Sequence, residues 1–71
     1  MSAIQAVLFD KYKFNTTEAR EWLRKHGYNP IKRVHITEKY LRYRLNEPEQ
    51  FKRFRTYKTD KGIELVIGFT L

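Results

Sequence analysis

The chain contains no cysteine, so neither a disulfide framework nor a zinc knuckle holds it together, and nothing points to an oxidising compartment. Proline and glycine are scarce, at two and three residues, and no linker, repeat or low-complexity segment interrupts the chain. No run approaches the about 20 apolar residues that a membrane-spanning helix requires. The apolar start, Met1 to Phe9, lacks a basic leader, a sufficient apolar length and a small-residue cleavage site, so it reads as a strand rather than a signal. Acidic residues are also few. Eight Asp and Glu stand against 15 Lys and Arg, a formal net charge of +7, which favours an anionic partner, with a merely solvated surface as the alternative.

What is present is the composition of a chain that packs. Hydrophobic residues make up 41% of the 71 residues, among them five Phe, five Tyr and one Trp, so residues 1–71 are expected to form one compact domain with a modest core and an intracellular home.

One long helix is expected around Thr16–Gly27. Ala19, Trp22, Leu23 and His26 recur on one stripe, while Arg20, Glu21, Arg24 and Lys25 lie opposite. Thr16 is placed to cap the free N–H groups, Glu18 suits the first turn, Lys25 and His26 suit the last, and Gly27 ends the helix. Asn29-Pro30 prevents it from resuming. Trp22 is the expected central plug of the core.

The rest reads as strand. Ile4–Phe9 is apolar on both sides and should lie centrally in the sheet. The loop after it offers Tyr12 and Phe14 to the core, with Phe14 the better candidate. Lys32–Thr37 alternates with Val34 and Ile36 inward, and Glu38-Lys39 makes a tight turn without the usual Gly or Asn. Tyr40–Leu45 places Leu41, Tyr43 and Leu45 on one face and Tyr40, Arg42 and Arg44 on the other. A helical turn can start at Pro48, with Phe51 anchoring it to the core. Arg53–Lys58 is the fourth strand, Thr59–Gly62 a hairpin turn, and Ile63–Phe69 the last strand. A bulged turn would pair Lys58 with Glu64 and put Arg53 and Arg55 on the Leu65 side, whereas a two-residue turn would put Phe54 there; Phe54 in the core is the expected arrangement. The fold class is α+β: a small antiparallel sheet of four to five strands on one helix, in the order β-α-β-β-β-β.

Consecutive strands are usually neighbours. If the third and fourth strands are, then Tyr40, Arg42, Arg44, Arg53, Arg55 and Tyr57 share the sheet face that the helix does not cover. Arginine forks suit phosphates and tyrosine rings suit unpaired bases, so these six residues form the candidate nucleic-acid-binding surface. Lys32, Arg33, Lys52 and Lys58 would widen the field, Arg20 and Arg24 make a second basic strip, and His35 points outward. His26 is better explained by packing and by the helix C-terminus. Two histidines without a cysteine or a close carboxylate make no metal site, and no catalytic constellation or cofactor cradle appears, so no cofactor and no enzymatic activity are expected.

Two segments, Ile4–Lys11 and the T-x-E-A-x-x-W-L-x-x-H pattern of Thr16–His26, together resemble the first half of small domains of uncharacterised function in phage and large-DNA-virus proteins. Tyr40–Arg44, Phe51–Thr56 and Gly62–Gly68 resemble the second half. Similar segments accompany head-assembly polypeptides in some phage proteins, so the resemblance implies a viral or mobile-element origin, a binding role, and a place in an infected cell or a virion. The expected function is nucleic-acid binding, DNA or RNA, through the basic sheet face. The alternative is a viral protein-interaction module whose basic face meets an acidic protein surface. No membrane partner is expected.

Overall fold

The computed structural model describes residues 2–70. The chain runs β1 (Ser2–Asp10), α1 (Thr16–Lys25), β2 (His35–Ile36), β3 (Tyr40–Arg44), a 3₁₀ turn (Pro48–Gln50), β4 (Arg53–Lys58) and β5 (Ile63–Phe69). The five strands form one antiparallel sheet in the spatial order β2-β3-β1-β5-β4. This is the α+β class expected from the alternation patterns. β1 takes the centre, as a strand apolar on both sides should, because only there do two neighbours and a helix bury it.

The helix is specified locally. Asn15, rather than Thr16, is the N-cap: its Oδ1 accepts from Glu18 N–H at 2.8 Å, and the Glu18 carboxylate accepts from Asn15 N–H at 3.0 Å, a reciprocal capping box. At the other end Gly27 adopts φ +75°, and the Gly27 and Tyr28 N–H groups donate to the Arg24 and Leu23 carbonyls, closing the helix as expected. His26 Nδ1 donates to the Trp22 carbonyl oxygen at 2.8 Å, and its ring stacks on Trp22.

The core centre differs from expectation. Trp22 is only half-buried at the helix flank, and the plug is Phe9 of β1, fully enclosed and edge-on to Phe14, Trp22 and Tyr43 at centroid separations of 5.3, 5.6 and 5.7 Å. A residue on the middle strand has neighbours on both sides, whereas a residue on the helix flank has the sheet on one side only. Val7, Ala19, Leu23, Leu41, Tyr43 and Ile63 complete the core.

Three further expectations are corrected. The second strand shrinks to His35–Ile36, and Ile36 is 59% exposed because β2 lies at the sheet edge, beyond the helix. Its two-residue turn needs no Gly or Asn, since Thr37 Oγ1 closes it by accepting from Tyr40 N–H at 3.0 Å. The last hairpin takes the bulged register: Gly62 at φ +84° allows a three-residue turn, Lys58 faces Glu64, and Arg55 faces Ile67. Phe54 is therefore on the face away from the helix, 46% exposed, not in the core. Phe51 joins it there at 5.9 Å, on the outer face rather than in the core, lying over Gly68, where any Cβ would come within 2.3 Å of its ring.

Candidate nucleic-acid interface

The third and fourth strands are not neighbours. β1 and β5 lie between β3 and β4, a separation of three strand spacings, about 14 Å. The connection between them crosses the end of β1 at a bulge between Ile4 and Ala6. There the Gln5 backbone carbonyl accepts from Leu45 and Asn46 N–H at 2.8 and 3.2 Å, the Gln5 side chain donates to the Asn46 carbonyl at 2.9 Å, and the Asn46 side chain donates to the Ile4 carbonyl at 2.9 Å. Gln5 is 1% exposed, and a buried amide with all its partners supplied holds this crossing in one arrangement.

The six candidate residues consequently split three and three. On β3, Tyr40, Arg42 and Arg44 pair with Asp10, Leu8 and Ala6 and lie on the open face of the sheet. On β4, Arg53, Arg55 and Tyr57 pair with Phe69, Ile67 and Leu65 and lie on the helix side. The expectation of one shared face is overturned: the β3 trio keeps the open face expected of it, the hairpin register turns the β4 trio to the helix side, and the strand order sets the two trios three strands apart.

The two trios also differ in how free they are. Arg42 Nη2 donates to Gln5 Oε1 at 3.1 Å, and the Nε atoms of Arg42 and Arg44 are buried without a hydrogen-bond partner. A guanidinium whose Nε is pressed against the sheet has lost the side-on fork that pairs best with phosphate oxygens. The Tyr40 hydroxyl is affected too: the nearby Glu64 carboxylate, first as an acceptor and then as a charge, raises its pKa above the ordinary value. These three residues are half-buried parts of the sheet surface.

β4 is an edge strand, and all six of its residues are exposed. Arg53, Arg55 and Lys58 make no ion pair among the described residues, where the two bridges are Arg24 with Glu21 and Lys32 with Glu47. Tyr57, 60% exposed, projects to the helix side and Phe54 to the open side. Lys52 and Lys61 continue the positive strip at either end. Among the described residues no group of three His, Cys, Asp or Glu is placed to hold a metal ion, and no helix is long and apolar enough to cross a membrane.

Gln5 and Asn46, which decide where β4 goes, carried a weak signal in the sequence: Gln5 is the one polar residue inside the Ile4–Phe9 run. No family model matches the chain, no curated protein matches its sequence, and no solved structure matches its fold.

Proposed function

We propose that this protein is a non-enzymatic nucleic-acid-binding module whose contact strip is β4 rather than a six-residue face. One observation carries the reading: on β4, Arg53, Arg55 and Lys58 are exposed and form no ion pair with a carboxylate among the described residues, with Tyr57 and Phe54 exposed between them. Unpaired guanidinium groups retain both forks for backbone phosphates, and an exposed ring on either face of the strand can take a base. Affinity should exceed sequence specificity, since phosphate contacts dominate. The resemblance to phage and large-DNA-virus domains would place this activity in an infected cell or a virion.

The test is a fluorescence-anisotropy titration of labelled single-stranded and duplex DNA and RNA at several salt concentrations. If about four phosphates of a single strand are neutralised, log affinity should fall with log salt at a slope of roughly −3. Binding should be lost in Arg53→Ala/Arg55→Ala and kept in Arg42→Ala/Arg44→Ala. Salt-insensitive binding, or the reverse pattern in the two variants, sinks the assignment.

A second reading has its own observation. The Thr59 N–H to Ile63 carbonyl bond, 2.9 Å, sets the phase of the β4–β5 ladder, and alternation from it turns the backbone groups of Phe54, Thr56 and Lys58 outward. An extended acidic segment of another protein could add there as a sixth strand. A second copy of β4 would set cations against cations. Absence of nucleic-acid binding at low salt would favour that acidic partner.

A further inference from the structure

On the β3 side of the sheet, α1 and the segment following it enclose a cleft of about 630 Å³ that opens at Thr16, Arg20 and Pro30 into a second of about 460 Å³. The larger one has Val34 and Tyr43 as apolar walls and Arg20, Lys32 and Arg33 around it; no carboxylate is among its described lining residues. Its walls are pinned. Ile31 N–H donates to the Arg44 carbonyl at 2.9 Å, Lys32 Nζ lies 3.3 Å from Glu47, and the Tyr43 hydroxyl reaches the Thr16 carbonyl at 3.5 Å. The fixed segment thus brings Lys32 and Arg33 to the same opening as Arg20 of the helix.

We propose that this cleft binds a phosphate monoester, its dianionic head between Arg20 and Arg33 and its apolar body against Val34. Arg20 and Arg33 come from two separate segments and neither is ion-paired among the described residues, so both guanidinium forks are available to a doubly charged head, while Lys32 is held by Glu47 at the rim. The volume lies within the range of small-ligand sites, and the apolar wall gives the remainder of the ligand somewhere to lie. Burial raises the Tyr43 pKa, and the Arg20 guanidinium opposes the rise. The site shares no residue with β4 and stands or falls apart from the nucleic-acid reading.

The probes are phenyl phosphate and inorganic phosphate, titrated into the full chain and followed by amide chemical shifts. Phenyl phosphate should move the signals of Arg20, Lys32, Arg33 and Val34 and bind more tightly than inorganic phosphate. Arg20→Ala/Arg33→Ala should weaken it by at least about tenfold. Both positions are exposed, so a dispersed spectrum will show that the variant folds, and Arg53→Ala/Arg55→Ala should bind like the parent. Equal affinity for the two probes, shifts centred on β4, or undiminished binding by the Arg20/Arg33 variant would overturn the proposal.

Discussion

β3 and β4 are written in nearly the same alphabet. Tyr40-Leu41-Arg42-Tyr43-Arg44 and Arg53-Phe54-Arg55-Thr56-Tyr57-Lys58 both interleave arginine with aromatic residues, yet one builds the core and the other covers nothing. β3 lies between β1 and β2, so Leu41 and Tyr43 are buried under the helix and its arginines are drawn onto the sheet surface. β4 has a neighbour on one side and no helix above it, and the same residue types stand in solvent. Composition alone therefore does not make a binding strand. What makes β4 a candidate is that its cations have no ion-pair partner among the described residues.

The sharpest break between the strands should be in stability. Leu41→Ala removes a buried side chain at the centre of the core and should cost about 2–5 kcal/mol, against about 0.5 kcal/mol or less for Tyr57→Ala on β4. Chemical denaturation of the two variants checks this. Comparable losses would mean that β4 is packed more tightly than its exposure indicates.

The arginines offer a second contrast. Arg42→Ala leaves the buried Gln5 Oε1 without its donor and should cost about 1–3 kcal/mol, whereas Arg53→Ala should lie within about 0.5 kcal/mol of the parent. Thermal unfolding with both variants side by side would reveal whether Gln5 holds the crossing as described. If Arg42→Ala is neutral, the Gln5 network does not depend on it.

The smallest effect is a titration. The Glu64 carboxylate, as an acceptor and as a charge, holds the Tyr40 phenol protonated above its ordinary range. Because the folded value is the raised one, the contribution is fully present below the unfolded pKa of about 10 and is lost as pH rises through the folded value. Glu64→Ala should bring the Tyr40 titration down toward about 10, read from its ring signals by NMR. An unchanged Tyr40 would remove the contact that keeps it from acting as a free stacking ring.

Much of the fold is legible in the chain because it is local. The helix stripe, the Gly27 stop, the period of two in β3, the half-burial of Phe14 and the central place of β1 follow from spacings within a few residues. The N-cap is displaced by one residue because Asn15 and Glu18 satisfy each other, a pairing that Thr16 does not offer. Trp22 was the obvious candidate for the plug by size, but enclosure depends on what surrounds a position, and Phe9 has strands on both sides.

The candidate site was legible only in its residue types. By itself the sequence determined a basic, cysteine-free α+β chain with one helix, a sheet of four to five strands and the inward and outward alternation of β3 and β5. Tertiary structure decided which strands meet. A bulge at Gln5 takes the chain past β1, Gly62 selects the register that turns Arg53 and Arg55 to the helix side, and the six residues that alternation alone would assemble end on two faces. Strand alternation is set by neighbouring peptide units, but strand order is set by contacts between residues some 40 positions apart, such as Gln5 with Asn46, and no local spacing encodes them.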